Sequence, residues 1–288
     1  MIEYSLPGLY SCFKLNKAFI HTIENHTNVL RPDVKISSVY GCFPPAIWNG
    51  GRKMSGTCSI EQIEEEIDFW NSRNIECRFT FTNSEIGKEH IHDTFCNKLL
   101  KIANNGMNGV IVNSDVLATY IRKVYPRYAL ISSTTKCLKS LNELENECKK
   151  EFDIVVLDYS LNHSDQVLAL PNSSKLEILV NAYCRDDCPE RKTHYEVLSK
   201  SQMDFEERSS FHECRYVLED FYNVKESRKS FVTVEEVKHF YKYGINKFKI
   251  EGRTNSIFDV LESYIYYLIR PEYADCIRLY TLRKADEL

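Results

Sequence analysis

The sequence predicts a (β/α)8 TIM-type barrel, irregular or incomplete at its seventh strand. Three observations predict it. Apolar runs centred near residues 37, 79, 109, 129, 153, 177 and 247 are mostly followed by helix-like segments. The runs are rich in Val, Ile and Leu without strict alternation, the pattern of parallel strands covered on both faces. Seven or eight such units fit within 288 residues, and a closed barrel takes about 250. An open doubly wound sheet is the alternative. No GxGxxG follows any strand, which counts against its dinucleotide-binding form. The chain reads as one domain over 1–288. Residues 1–34 are an N-terminal lead-in, 185–215 a loop over the site, and 254–288 a C-terminal helical part.

In the lead-in, Phe13, Leu15, Phe19 and Ile20 suit one amphipathic helix, ended by Arg31-Pro32-Asp33. Residues 34–42 read as a strand, and 43–58 as a long loop with two prolines and three glycines. Ser59 caps a helix whose apolar side is Ile60, Ile63, Ile67 and Trp70. Residues 77–83 form a strand of aromatic and β-branched type, and His90 to Asn105 a helix stopped by Gly106. The uncharged strand 109–114 leads into a helix capped by Ser114 and closed before Pro126. Strand 128–135 precedes helix 136–151, and 153–160 is the plainest buried strand. Strand 176–184 leads into the charged loop and a helix around Arg191–Ser201. Thr233 caps a helix ended by Gly244, 245–253 is a strand, and Ile257 to Leu268 begins the final helical stretch. The missing strand is sought between 184 and 245, in FYNVKES or KSFVTVEEV.

Composition narrows the function classes. A net charge of −4 and a pI near 6.1 leave no electrostatic footprint for duplex DNA. No run approaches 18 consecutive apolar residues, so no membrane span is expected. Eleven cysteines without a secretory leader point to reduced thiols or metal ligands in the cytoplasm.

In a barrel of this kind the site collects at the C-terminal ends of the strands. Those ends carry Cys42 with Asn49 and Arg52 beyond it, Asn83, Asn113, Lys136, Asp158, Asn181 with Cys184, and Lys249, Glu251 and Arg253. The stretch LVNAYCRDDCPERKTHY (179–195) is the densest in chemistry. Cys184 and Cys188 are a thiol pair at metal-binding spacing, or two incidental buried thiols. Arg191 could grip a carboxylate or phosphate, and His194 could act as acid, base or ligand. Both could equally be structural. Lys249, Glu251 and Arg253 alternate along a strand and so point one way, as an ion network or a substrate anchor. His90 and His92 read as surface residues, and no GxSxG or HExxH is present.

INKFKIEGR (245–253) and the stretch 179–195 resemble segments of the collagenase-like peptidases, unassigned peptidase family 32. The usual glycine-and-cysteine signature of the peptidase members is replaced by a compact CxxxCPxR. The resemblance implies a cytoplasmic barrel. It also implies, as in several members, an iron–sulfur cluster used in hydroxylation of RNA or a quinone precursor. Cys42, Cys184, Cys188 and Cys214 fall at positions compatible with four ligands; zinc, or no metal, is the alternative. The leading expectation is therefore a metal- or iron–sulfur-dependent enzyme modifying a small or nucleoside-like substrate. Arg191, His194, Lys249 and Glu251 are its catalytic candidates, and Asn49, Arg52, Asn83, Asn113, Lys136, Asp158, Asn181 and Arg253 bind substrate. A metal- or thiol-dependent peptidase and a non-catalytic subunit of a homo- or heterodimer are the alternatives.

Overall fold

The computed structural model describes residues 1–26, 28–52, 54–204, 219–252 and 256–288. Eight strands close into one parallel barrel in sequence order. They are β1 (Ile2–Pro7), β2 (Val34–Gly41), β3 (Glu76–Phe81), β4 (Gly109–Val112), β5 (Ala129–Ser132), β6 (Ile154–Val156), β7 (Leu176–Leu179) and β8 (Lys247–Lys249). The helices are α1 (Phe13–Asn25), α2 (Ile60–Asn71), α3 (Thr94–Ile102), α4 (Asp115–Val124), α5 (Leu141–Cys148), α6 (Asp165–Leu168), α7 (Arg191–Asp204), α8 (Phe221–Ser227), α9 (Val234–Lys242), α10 (Ile257–Leu268) and α11 (Ala274–Glu287). Ser59, Ser114 and Thr233 cap α2, α4 and α9 as their positions predict. Asp93 caps α3, so His90 and His92 lie in the turn before it.

The missing strand is β1, inside the expected lead-in. It pairs with both β2 and β8 and closes the barrel. FYNVKES is helix α8, and β7 pairs directly with β8, so no strand is needed between them. The reason β1 hides is the character of the barrel interior. Tyr4 packs outward on Phe248 and Tyr267, which turns Glu3 and Ser5 inward. An amphipathic IEYSLP reads as a surface segment, yet its polar side faces a polar lumen.

That lumen departs from the usual layers of branched apolar side chains. Tyr40, Ile111, Ile131, Ile154 and Val156 form one small apolar cluster in it. Beside them Arg78, only 4% exposed, ion-pairs with Glu177 at 2.5 Å and with Glu76 at 2.8 Å. Gly109 makes the room, since a Cβ there would stand 2.4 Å from the Glu76 carboxylate and 3.0 Å from Ile131. The large apolar core lies outside the barrel, between strands and helices, and includes Trp70, Phe79, Tyr264 and Tyr267.

One buried carboxyl in the helix layer carries a stability prediction. Glu66 of α2 is 1% exposed; Gln62 donates to one of its oxygens at 3.0 Å and the other has no hydrogen bond. Burial pushes its carboxyl up to about 8. The folded chain therefore holds a proton that the unfolded chain has released, and stability falls as pH rises from about 4.5 to about 8. Glu66→Gln should gain about 1–3 kcal/mol in urea unfolding at pH 8.5 and nothing near pH 4. A gain independent of pH would contradict the assignment.

Candidate functional site

The strand ends and their loops gather charged and aromatic side chains at the C-terminal mouth, and helix α7 lies across it. α7 follows β7, yet its far end reaches the loops after β2 and β3. Asn83 donates to the Ser199 carbonyl at 3.0 Å, and the Ser84 amide donates to the Ser199 hydroxyl at 3.1 Å. Gln202 accepts from the Met54 amide at 2.8 Å and donates to the Met54 carbonyl at 3.1 Å. The residues α7 buries are Arg191, Ser199, Ser201 and Gln202, all polar. An amphipathic helix in a barrel's outer layer would bury an apolar stripe. This one is hydrogen-bonded down onto the mouth.

Two ion pairs stand beneath it. Arg52 meets Glu251 at 2.7 Å. The other Glu251 oxygen accepts from the Tyr183 amide at 3.0 Å, so one carboxylate fixes both the arginine and the start of the cysteine loop. Asn181, fully buried, accepts from the Glu251 amide at 2.7 Å and donates to its carbonyl at 3.1 Å. Asp186 holds the rest of the loop by accepting from the amides of Lys229 and Ser230. In the second pair, Arg191 donates to Asp158, whose other oxygen accepts from the Ser160 amide and hydroxyl. The Arg191 guanidinium lies over the Tyr159 ring at 4.1 Å, and the Lys249 ammonium lies over Tyr40 at 3.9 Å. Cys184 packs on the cluster of Tyr159, Leu179 and Ala182.

Burial governs the titration of these groups. It pushes the Cys184 thiol up, with Cys188 and Glu251 adding to the rise and Tyr159 and Arg191 opposing it. Tyr159 and Tyr195 are also raised by burial first. Burial works against the Arg191 and Arg52 charges, but Asp158 and Glu251 respectively more than restore them. His194 is lowered by burial and then by Arg52, so it is neutral at pH 7. The mouth thus combines arginine–carboxylate pairs with aromatic rings and a protonated thiol.

Several expected site residues serve the frame instead. Asn49 is fully buried, accepting from Thr80 at 2.9 Å and donating to the Arg52 carbonyl at 2.7 Å. Asn83 donates to the Ile47 and Ser199 carbonyls and accepts from the Glu85 amide. Asn113 donates to Thr135. Lys136 pairs with Asp115 and Glu147 of α4 and α5, in the helix layer and not at the mouth. Arg253 and Cys214 lie outside the described residues.

The expected four-cysteine set does not assemble through Cys42. That thiol is fully buried in the outer core, with Cys96 of α3 as an electrostatic neighbour. Among the described residues no three His, Cys, Asp or Glu side chains group to hold a metal. A four-iron cluster needs four thiolates around one point, so Cys184 and Cys188 remain as two candidate ligands. Sequence reasoning passed over Tyr40, Tyr159, Tyr183 and Tyr195. Each sits within three residues of a residue it did name or of a strand end, and that adjacency was the available signal.

Two surface clefts lie away from this chemistry. One is lined by His92 and by α3 and α4 residues including Lys98 and Tyr120, the other by His26 and by α1 and α11 residues including His21 and Tyr280.

Comparison with known proteins gives three matches. The model of Peptidase family U32 matches residues 39–270. The protein named Uncharacterized protease MJ1657, from Methanocaldococcus jannaschii, is 23% identical over 278 residues, covering 89% of this chain and 78% of its own length. A solved structure, that of the U32 peptidase Mk0906, superposes with a TM-score of 0.57 at 13% identity, over 88% of this chain and 94% of that one. At that identity the likeness is one of fold.

Proposed function

This chain belongs to peptidase family U32, and on that premise we propose that it is an enzyme modifying a small, ring-bearing, nucleoside-like substrate at the barrel mouth. The observation that carries the reading is α7 lying across the mouth above a site of tyrosines and arginine–carboxylate pairs. A covered site of this kind suits a small molecule or a single extruded base better than an extended polypeptide, which needs an open groove. Tyr195 stands there beside Tyr40 and Tyr159, whose rings already carry Lys249 and Arg191, and beside the Arg52–Glu251 pair. The modification we favour is oxidative. Hydroxylation replaces a C–H by a C–OH and requires an oxygen donor from outside the chain. Cys184 and Cys188 are the thiols we assign to any metal or iron–sulfur centre; such a centre would supply electrons or activate that donor.

The names of the family and of the relative support a second reading, a peptidase. A thiol nucleophile needs a lowered pKa or a histidine partner. Burial holds the Cys184 thiol up, and its electrostatic neighbours are Tyr159, Cys188, Glu251 and Arg191. That surrounding favours modification over thiol-dependent hydrolysis.

Two measurements test this. In calorimetry, uridine should bind the wild-type chain, and Arg52→Ala should weaken it. Cleavage of a peptide library that is lost in Glu251→Gln would instead establish the peptidase. For the metal, Cys42→Ala should leave iron, zinc and sulfide content unchanged after anaerobic purification. It should cost about 1–2 kcal/mol of stability as a core truncation. Cys184→Ser with Cys188→Ser should remove the bound metal. Metal lost from a folded Cys42→Ala protein overturns the ligand assignment.

A further inference from the structure

We propose that Asn105 is a self-modification site, where the fold activates an Asn-Gly step to lose its side-chain amide to water. The chain holds three such steps, Asn49-Gly50, Asn105-Gly106 and Asn108-Gly109. The reaction open to each is the same. The glycine nitrogen attacks the asparagine Cγ, and the side-chain amide leaves as ammonia, taking the proton that the glycine nitrogen gives up. A five-membered imide remains. Water adds to one of its two carbonyls and breaks that carbon's bond to the nitrogen, giving aspartate or isoaspartate. The net change is one water in and one ammonia out, with no oxidant or cofactor.

The fold decides which step reacts. Asn49 and Asn108 are buried. Thr80 and the Arg52 carbonyl hold the Asn49 amide at both ends, and a Cβ at Gly50 would stand 2.5 Å from the Asn83 nitrogen. Asn108 Oδ1 accepts from the Cys77 amide at 2.8 Å, and Gly109 is paired with a strand on either side. Asn105 and Gly106 are exposed, in the turn between α3 and β4. Gly106 has a φ of 84°, and among the described residues its amide donates no hydrogen bond. The attacking nitrogen is therefore free and carries no side chain beside it.

The groups around this step polarise both reacting partners. Asn105 Oδ1 accepts from the Met107 amide at 2.9 Å and from Asn108 Nδ2 at 3.1 Å. The first bond folds the side chain back over Gly106. Both stabilise the oxygen that turns negative when Cγ is attacked. Arg127 Nη2 donates at 2.6 Å to the Asn105 backbone carbonyl, which belongs to the attacking peptide group. A cation there eases loss of the Gly106 amide proton. Its Nη1 donates to the Asn104 carbonyl at 3.1 Å, which fixes the guanidinium. The departing amide also carries a structural bond. Asn105 Nδ2 donates to Asn71 Oδ1 at 2.6 Å, and two more hydrogen bonds join Asn71 to Asn108. This asparagine chain ties the end of α2 to β3 and β4 at the N-terminal face of the barrel, the face that serves stability. A carboxylate at position 105 sets an acceptor against the Asn71 acceptor, so the reaction loosens the barrel at the face opposite the mouth.

Peptide mass spectrometry tests this on the purified chain, kept in mildly alkaline buffer with and without denaturing urea. In the folded chain Asn105 should lose its amide at least about 10-fold faster than Asn49 or Asn108, which react only through local opening. In urea the three rates should converge, and Asn105 should react no faster there than in the folded protein. Arg127→Leu should slow the folded reaction about 3- to 10-fold, less than a buried oxyanion donor is worth, and leave the urea rate unchanged. If Arg127 only held the turn still, its removal would speed the reaction instead. Asn105→Asp should melt about 2–4 °C below wild type. Stored wild type should drift toward that lower melt, and Asn105→Gln should not. The proposal is overturned if folding protects Asn105 relative to urea, or if Arg127→Leu reacts as fast as wild type or faster. An unchanged melt of Asn105→Asp would overturn the structural consequence.

Discussion

Replacing Arg78 by leucine should cost the fold about 3–5 kcal/mol, because it strands two carboxylates inside the barrel. Arg78 bridges Glu177 at 2.5 Å and Glu76 at 2.8 Å, and the Glu177 side chain is 2% exposed. The pair itself need not be a net gain over an apolar lumen; removing one partner is what hurts. The loss should depend on pH. Burial already raises the Glu76 carboxyl, and Arg78 is the main influence holding it down. Without that cation its folded pKa rises further, so the folded chain binds the more protons, and stability falls as pH rises. Urea unfolding should therefore show a larger deficit at pH 8 than at pH 4.5. Adding Glu76→Gln and Glu177→Gln to Arg78→Leu should recover much of it, by removing the stranded charges. An Arg78→Leu deficit under about 1 kcal/mol at both pH values would mean that the network is solvated and structurally idle.

The same polar lumen explains what the sequence hid. Residues 153–160 and 176–184 announced buried strands because both faces there are largely apolar. IEYSLP did not, because Glu3 and Ser5 face the lumen, and the rules for reading strands take polar alternation as exposure. Lys249 and Glu251 were legible as one inward-facing pair because their spacing is two. Their partners were not legible. Glu251 pairs with Arg52, 199 positions away, and Lys249 lies over Tyr40, which register alone brings round the barrel. Cys42 shows the opposite failure. It ends β2 as a site residue should, but the turn after Gly41 sends its thiol into the outer core. The family resemblance was right at the level of fold and membership, because it rested on strand-end segments that the barrel does bring together.

Glu251 should control how available Cys184 is, and two substitutions separate the ways it does so. One carboxylate oxygen holds Arg52, and the other holds the Tyr183 amide, one residue before Cys184. Its charge also helps keep the thiol protonated. Glu251→Gln removes the charge but retains an amide oxygen for Tyr183. Cys184 should then become somewhat more acidic, and iodoacetamide should label it about 3-fold faster at pH 7.5, since the thiolate is the nucleophile. Glu251→Ala removes the anchor as well. The loop from Ala182 to Cys188 keeps the Asp186 contacts to Lys229 and Ser230 and the Arg228 donation to the Tyr183 carbonyl. Labelling should rise at least about 10-fold, and the Tyr183 amide should lose protection from hydrogen exchange. Stability should drop by about 2 kcal/mol, the scale of a lost charge-assisted hydrogen bond with its partner left half-buried. Because the two variants differ in anchoring and share the charge change, their ratio measures the anchor alone. Equal labelling in wild type, Gln and Ala would detach Glu251 from the cysteine loop and leave it only as the counter-ion of Arg52.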